Sequence, residues 1–258
     1  MTEALADLLQ VSQAAILAGI LVFLRVGAVL ALLPAFGEVM VPVRVKLAIA
    51  ACLTILVTPL TILSVETANY APTALVGAGF AEIAVGLFLG FGLRLFVFVL
   101  QIAGTIAAQS TSLSQLLGGQ AVDPQPALGV ILVIAGLALA TSLGLHVRVA
   151  SMLAQTYVLV PLGTLLPVGP LTEWAIDAVA HAFRLAVTLA SPFVLASLLY
   201  NLALGVINRA MPQLMVAFVG APAITFGALV LLALTAPLIL SIWVTALNQR
   251  LADPWGIF

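Results

Sequence analysis

Long apolar runs recur along this sequence, and each is about as long as a membrane is thick. A helix needs about 20 apolar residues to cross the hydrocarbon core of a bilayer. Of the 258 residues, 64% are hydrophobic and 7% are charged, whereas a soluble domain carries roughly 25% charged residues. The pattern predicts an all-α integral membrane protein with about six long apolar helices plus irregular helical segments, arranged as helical hairpins. The predicted spans are residues 11–33, 42–58, 73–99, 127–145, 173–200 and 222–247, with irregular helical segments at 101–120 and 149–170.

Charge and cysteine content exclude several classes of function. The net charge is −1, so no basic patch indicates a nucleic-acid partner. Cys52 is the only cysteine, which excludes an internal disulfide and a cysteine-based metal site. The sequence contains no Walker loop, HExxH or GxSxG motif, so we predict neither an enzyme activity nor a cofactor.

Residues 201–223 form a polar interruption between two apolar runs. Arg209, Pro212 and Gln213 lie in its middle, and Gly220 follows them. Pro212 removes a backbone donor and disfavours helix at the residue before it. A charge, amides and a helix breaker are costly at membrane depth unless protein or water surrounds them. We therefore expect a bent segment packed inside an assembly, with Arg209 bonded to carbonyls or a carboxylate. An ordinary polar loop between two spans is the alternative.

Charged residues also fall inside two of the predicted spans. Glu82, Gly86, Gly90 and Arg94 are each four residues apart, so they form one stripe of a helix. Gly86 and Gly90 offer a small-residue face that another helix can approach closely. Glu82 and Arg94 are too far apart to pair, so each needs a partner elsewhere on this chain or on a neighbouring one. Arg25 lies two-thirds along the first span, where it either snorkels to the interface or contributes to packing.

The connection between the first two spans combines prolines, a glycine and charges. Pro34 and Gly37 follow the first span, and Pro42 suits the first turn of the next helix. Arg44 comes two residues later. We predict a structured connection that contributes to packing.

A second polar stripe occurs in the span predicted at residues 173–200. Asp177, His181 and Arg184 lie on one helical face within about 60° of each other, and Thr188 and Ser191 continue the stripe. An acid, an imidazole and a guanidinium on one stripe suit a proton relay. They equally suit an internally neutralised seam against a neighbouring subunit. We prefer the seam, because all three charges crowd one end of the span.

Residues 101–120 are polar but uncharged. Hydroxyl and amide side chains suit a surface that meets water or other chains without fixing an ion, and a glycine pair ends the segment. A solvent loop with a helical start is the alternative. The residues of interest are Gln109, Ser110, Ser112, Ser114, Gln115, Gly118 and Gly119.

A series of short motifs runs in order along nearly the whole chain. The motifs are Arg25-Val26-Gly27, Pro34-Ala35-Phe36-Gly37, Val41-Pro42-Val43-Arg44, Glu82 with Gly86 and Gly90, Asp123-Pro124, Leu143-Gly144-Leu145-His146, residues 204–213 and Val219-Gly220-Ala221-Pro222. In order and spacing they resemble the FliR family of flagellar biosynthetic membrane proteins and their counterparts in virulence secretion. The sequence departs from that family at Leu145, which replaces one glycine of a pair, and in a shortened, serine-rich region near Asp123.

The resemblance implies a definite function. Members of this family are subunits of the export gate of the flagellar type III secretion apparatus, in the bacterial inner membrane at the flagellar basal body. The implied partners are FliP-like and FliQ-like membrane proteins, with FlhB-like and FlhA-like proteins beside them, and exported flagellar subunits pass through the pore. Residues 1–172 would correspond to a FliP-like part and residues 173–258 to a FliQ-like part. The resemblance also implies a pore plug within residues 101–120.

A stand-alone secondary transporter or ion channel is the competing hypothesis. It would use the stripe of Asp177, His181 and Arg184, with Glu82 as a second site. The two halves of the chain show no internal repeat, which argues against a carrier of this kind.

Overall fold

The computed structural model describes residues 2–61, 72–112, 127–211 and 216–256. Within these ranges the chain is helical and contains no strand, which confirms the all-α class. The helices are α1 (Thr2–Leu32), α2 (Val43–Val57) with a 3₁₀ turn at Thr58–Leu60, α3 (Pro72–Ser112), α4 (Ala127–Ser142), α5 (Leu145–Leu159), α6 (Val168–Ala210) and α7 (Val216–Ala252).

Five of these helices are long and apolar enough to cross a membrane. Their candidate spans are Ser12–Leu32, Val43–Leu60, Ala74–Thr111, Val168–Ala210 and Ala223–Ala252. Helices α4 and α5, which meet at an angle of 71°, make a sixth candidate span if the pair is counted as one. Gly144 lies at the bend with φ +81°, a left-handed conformation that favours glycine. The prediction of about six apolar helices is therefore confirmed.

Helix α3 is longer than predicted. The expected break between residues 99 and 101 is wrong, because α3 continues without interruption to Ser112. The polar side chains in this region bond to their own helix: Thr105 Oγ1 donates to the carbonyl oxygen of Gln101 at 2.8 Å. Ser110 Oγ donates likewise to Ala107 at 2.8 Å. These hydroxyl groups donate hydrogen bonds within their own helix, so they do not interrupt it.

Helix α6 is also longer than predicted, and it includes much of the polar interruption. Residues 201–210 continue α6 as regular helix, so the predicted end of this span at residue 200 is wrong. Met211 follows α6 outside the helix, and residues 212–215 lie outside the described residues. Helix α7 already begins at Val216, before the predicted start at residue 222.

The chain forms two compact units, each assembled from segments that are distant in sequence. The first unit comprises Met1–Leu95, Thr141–Ala178 and Leu247–Phe258. The second comprises Phe96–Ala140 and Val179–Ala246.

Two glycines of α3 allow close packing against α1 in the first unit. A Cβ atom on Gly86 would lie 2.5 Å from the carbonyl oxygen of Arg25 and 2.7 Å from Cβ of Ala28. A Cβ atom on Gly90 would lie 3.0 Å from Cβ of Leu32. The predicted small-residue face therefore exists, and the helix that approaches it is α1 of the same chain.

The second unit is built around Trp243 and further glycines. Trp243 is fully buried, and its Nε1 donates to the carbonyl oxygen of Phe96 at 2.8 Å. Gly136 lies against the side chains of Trp243 and Leu100, so a Cβ there would collide with Leu100. Small residues at helix crossings again let the backbones come close.

Candidate functional site: a buried charge network

Arg25 and Glu82 form an ion pair from which water is excluded. Both side chains have 0% exposure. Arg25 Nε donates to Glu82 Oε2 at 2.7 Å, and Arg25 Nη2 donates to Glu82 Oε1 at 3.0 Å. This two-bond geometry is the strong form of an arginine–carboxylate pair. The snorkelling alternative for Arg25 is therefore wrong, because the guanidinium is held inside the helix packing.

The remaining donors of Arg25 are bound to α5 and to the residue that follows it. Nη1 and Nη2 each donate to the carbonyl oxygen of Val160 at 3.2 Å, and Thr156 Oγ1 lies 3.5 Å from Nη1. The guanidinium carbon lies 3.8 Å from the centre of the Tyr157 ring, which adds a cation–π contact. Each of the three guanidinium nitrogens thus has a partner.

Glu82 accepts four hydrogen bonds. Two come from Arg25, one comes from Tyr157 Oη to Oε2 at 3.1 Å, and one comes from the backbone N–H of Gly163 to Oε1 at 2.8 Å. A carboxylate offers about four acceptor positions. Glu82 therefore has no position left for a transported cation, which weakens its interpretation as an ion site.

The end of α5 is shaped to complete this network. Pro161 follows Val160 directly, and Val160 has left the helical conformation, with φ −127° and ψ 89°. A residue before proline is disfavoured as helix, so the Val160 carbonyl is free to accept from Arg25. Gly163, two residues after Pro161, has φ +76°, a conformation that favours glycine. The loop therefore presents one carbonyl to the cation and one N–H to the anion.

The network joins α1, α3 and α5 through a pair of opposite charges. A buried charge is strongly unfavourable alone, and removing one partner of such a pair costs about 3–5 kcal/mol. The neutral hydrogen bonds around the pair compensate the remaining desolvation. The arrangement thus fixes the relative positions of three helices, and we interpret it as structural.

A second ion pair joins the other charge of the α3 stripe to the loop after α1. Arg94 Nη1 donates to Glu38 Oε1 at 2.5 Å, with the side chains 23% and 26% exposed. The prediction that Glu82 and Arg94 each pair elsewhere is confirmed, and both partners belong to this chain.

The loop between α1 and α2 is structured, as predicted. Pro34 is buried, and the Gly37 N–H donates to the carbonyl oxygen of Leu33 at 2.7 Å. Lys46 Nζ donates to the carbonyl oxygen of Gly37 at 3.0 Å. Pro42 is the residue immediately before α2. The side chain of Arg44, in the first turn of α2, is exposed.

The hydroxyl side chains predicted for the α6 stripe bond to their own helix. Thr188 Oγ1 donates to the carbonyl oxygen of Arg184, and Ser191 Oγ donates to that of Thr188, both at 2.8 Å. Pro192 has no N–H to offer the Thr188 carbonyl, so the Ser191 hydroxyl takes that place. These hydroxyls are therefore occupied within α6.

The charged residues of the α6 stripe differ in exposure. Asp177 and Arg184 are exposed, and His181 is half-buried. Exposed charges on an apolar helix need water or another protein around them at membrane depth. This placement suits the predicted seam.

Arg209 lies in the last turn of α6 with its side chain exposed. Its burial was expected inside an assembly and therefore stays a prediction. A cation in the last turn is favoured by the partial negative charge of a helix C-terminus. Pro212 and Gln213 lie outside the described residues, and Gly220 lies within α7.

The candidate plug is described only in its first part. Gln109, Ser110 and Ser112 belong to the last turns of α3, where Gln109 is exposed and Ser110 is buried. Ser114, Gln115, Gly118 and Gly119 lie outside the described residues.

Several residues of the first unit were not predicted from the sequence. Tyr157 and Gly163 complete the charge network, and an aromatic cluster forms around Trp174. The Trp174 ring lies 5.8 Å from that of Trp255 and 5.2 Å from the guanidinium carbon of Arg250. Arg250 Nη1 also donates to the carbonyl oxygens of residues 254 and 256 at 3.2 and 3.1 Å. The feature of the sequence that could have indicated this cluster is Arg250, which lies four residues before the Pro254–Trp255 pair.

Five helices long and apolar enough to cross a bilayer, with the charges between them paired inside the chain, are typical of a helical integral membrane protein. The model of one protein family, described as "Bacterial export proteins, family 1", matches residues 16–250. Because the match covers most of the sequence, the chain belongs to that family.

Individual relatives agree with the family assignment. The chain is 33% identical over 239 residues to the flagellar biosynthetic protein FliR of Caulobacter vibrioides, covering 90% of this chain and 93% of the relative. It is 31% identical over 228 residues to the protein of the same name from Escherichia coli, covering 84% of this chain and 83% of the relative. The resemblance predicted from the sequence motifs is confirmed.

Proposed function

We propose that this protein is an integral-membrane subunit of the flagellar protein export apparatus. Its relatives are named flagellar biosynthetic proteins, and its family is described as one of bacterial export proteins. The proposal makes it a structural and transport component, without a catalytic role of its own.

The length of the apolar helices is the structural observation that supports packing of this chain in an assembly. Helices α3, α6 and α7 have 41, 43 and 37 residues. At a rise of 1.5 Å per residue they are roughly 55 to 65 Å long, about twice the 30 Å hydrocarbon thickness. Even a strongly tilted helix of this length leaves part of its apolar surface outside the bilayer. The part of that surface that the chain itself leaves exposed requires cover from other proteins.

The exposed side chains of α6 and α7 show how much cover is needed. Only 33% of the most apolar stretch of α6 and 22% of that of α7 are buried. Large apolar side chains remain exposed along both helices. Examples are Phe183, Leu195, Leu199, Leu202 and Val206 on α6, and Phe226, Leu229, Leu234 and Leu238 on α7. Apolar surface of this extent is typical of protein–protein or protein–membrane contact.

We further propose which membrane proteins lie beside this chain. The chain would pack with FliP-like and FliQ-like membrane proteins, beside FlhB-like and FlhA-like proteins, in the bacterial inner membrane. Residues 1–172 would take the place of a FliP-like subunit and residues 173–258 that of a FliQ-like subunit. The low cover of α6 and α7 by their own chain is consistent with the second assignment, because such helices need neighbours to pack against.

We also propose that residues 101–120 contribute the plug of the export pore. A pore for unfolded chains must hold back ions when idle, and a plug without charge neither binds ions nor attracts passing chains strongly. The segment is uncharged, and its described hydroxyls bond to their own helix. In this role it would touch exported flagellar subunits only in passing.

Co-purification and complementation test the proposal together. The tagged chain is produced in its own bacterium in place of the chromosomal copy, and membranes are extracted in mild detergent. We expect motile cells and a stable complex with other export-apparatus membrane proteins. The proposed assembly would be overturned if the chain purifies alone and the motility of the cells nevertheless depends on it.

A further inference from the structure

Helices α6 and α7 and the end of α3 form an apolar cleft of about 250 Å³ inside the second unit. The lining positions recur every three or four residues along α6 and α7, so one face of each helix lines the cleft. The floor consists of four buried side chains, those of Phe193, Ser197, Ile224 and Ala228. Gly227 is exposed at the rim. The cleft is therefore open at the surface of the unit.

The polar side chains that line the cleft already have partners in the chain. Thr111 Oγ1 lies within hydrogen-bonding distance of two carbonyl oxygens of its own helix, at 3.0 and 3.1 Å. Ser197 Oγ donates to the carbonyl oxygen of Val194 at 2.9 Å, and Tyr200 likewise has a partner within the chain. None of the lining residues is charged. The cleft therefore suits an occupant that makes no hydrogen bonds.

The size and the chemistry of the cleft favour hydrocarbon as its contents. Protein interiors are close-packed, so side chains around a void of this volume lose many contacts. Water is a poor filling, because an apolar cavity of about 150 Å³ stays dry and takes up molecules of the size of benzene. The occupant we expect is an apolar group, which either a lipid acyl chain or a side chain of another protein could supply.

The cleft lies in the middle of a long uncharged stretch of α6. Residues 185–208, between Arg184 and Arg209, carry no charge. At a rise of 1.5 Å per residue this stretch is about 36 Å long, enough to cross about 30 Å of hydrocarbon. Phe193 and Tyr200, the first and last lining residues of α6, lie near its centre. At the depth of the cleft, the medium around the protein is therefore lipid tails.

The shape of the cleft favours an acyl chain over a neighbouring side chain. Its lining residues extend from Ala223 to Leu234 on α7, which is about 16 Å along the helix. An acyl chain runs in the direction in which helices cross a bilayer, so it fits lengthwise. Side chains of a neighbouring helix reach only about 4 Å beyond their Cα atoms and would fill separate points of the cleft.

We propose that the cleft between α6 and α7 binds one acyl chain of a membrane phospholipid. The lining residues all belong to one unit of this chain, so the site requires insertion in a membrane and no partner protein. The acyl chain would complete the packing of α6 against α7 where the small residues Ala196 and Gly227 leave space at the rim.

A photoreactive side chain at the rim tests the proposal. A diazirine analogue of leucine replaces Gly227, where a Cβ atom meets nothing within 4 Å, so the fold has room for it. Gly205 on α6 is the matched control, because a Cβ there is equally free but the residue does not line the cleft. The chain is purified in detergent with any subunits that accompany it, washed free of bulk lipid and irradiated. We expect at least about tenfold more phospholipid adduct at position 227 than at position 205.

The other adducts identify other occupants, and each would overturn the proposal. Equal phospholipid adducts at the two positions would indicate bulk lipid only. Adducts with another subunit would assign the cleft to a neighbouring protein, and adducts with residues 113–126 would assign it to this chain. Adducts with detergent alone would show that the cleft retains no lipid.

Closing the entrance of the cleft gives an independent measurement. Gly227→Leu places an apolar side chain at the rim, and Gly205→Leu is its matched control. The phospholipid that stays with the purified protein after washing is measured for both variants and for wild type. We expect Gly227→Leu to lose phospholipid that wild type and Gly205→Leu retain. Equal phospholipid content in all three would overturn the proposal.

Discussion

Arg25 on α1 and Glu82 on α3 lie 57 residues apart in the sequence and are joined by two hydrogen bonds of 2.7 and 3.0 Å. Tyr157, Gly163 and the Val160 carbonyl surround the pair and occupy its remaining hydrogen-bonding positions. The opposite charges thus hold three helices together at a point where neither charge meets water. The first unit of the fold depends on this relationship.

Removal of either partner should destabilise the chain strongly. Arg25→Ala or Glu82→Ala leaves one buried charge without its partner, at a cost of about 3–5 kcal/mol. We expect a lower melting temperature of the purified complex and less of it in the membrane. The double variant Arg25→Met, Glu82→Met should lose less than the sum of the single changes, because no unpaired charge remains. Additive losses in the double variant would contradict a direct interaction between the two charges.

Gly163 should tolerate no side chain at its position. Gly163→Ala places an L-residue at φ +76°, which costs roughly 1–2 kcal/mol, and it endangers the N–H contact to Glu82. Gly169→Ala is the matched control, since a Cβ there meets nothing within 4 Å. We expect thermal melting of the complex to fall for the first variant and to stay unchanged for the second. Equal melting temperatures of the two variants would show that the loop can donate its N–H to Glu82 in another backbone conformation.

The close approach of α1 and α3 gives a steric prediction. Gly86→Leu and Gly90→Leu should prevent the packing of these helices, because a Cβ at either position already lies 2.5 to 3.0 Å from α1. Gly77→Leu on the same helix is the control, because nothing lies within 4 Å of a Cβ there. All three variants should reach the membrane, but only the control should assemble and support motility. A motile Gly90→Leu strain with normal amounts of complex would refute the contact.

Deletion of residues 110–119 tests the proposed plug. We expect the complex to assemble and to leak, because the pore would lose the segment that fills it. The measurement is ion flux in vesicles that contain equal amounts of wild-type or shortened complex. Unchanged ion flux with normal assembly would refute the plug and indicate that the segment is a connecting loop.

Sequence patterns predicted the apolar helices and the charge stripe of α3 because both follow local periodicity. Spacing alone showed that Glu82 and Arg94 could not pair with each other, and the structure supplies Arg25 and Glu38 as their partners. The contribution of Tyr157 and Gly163 could not be predicted, since it depends on a loop that returns to α3 from a distant part of the chain. Arg209 ends α6 with its side chain exposed, and its expected bonding inside an assembly stays a prediction, because it depends on neighbouring chains.

The central claim is that other export proteins cover the long apolar surfaces of this chain. The most direct test is the mass and composition of the particle that contains it, extracted in mild detergent from flagellated cells. The account predicts a particle much larger than the 26.6 kDa chain, with other membrane subunits of the export apparatus in fixed ratio. A particle that contains this chain alone, from cells whose motility depends on it, would contradict the account.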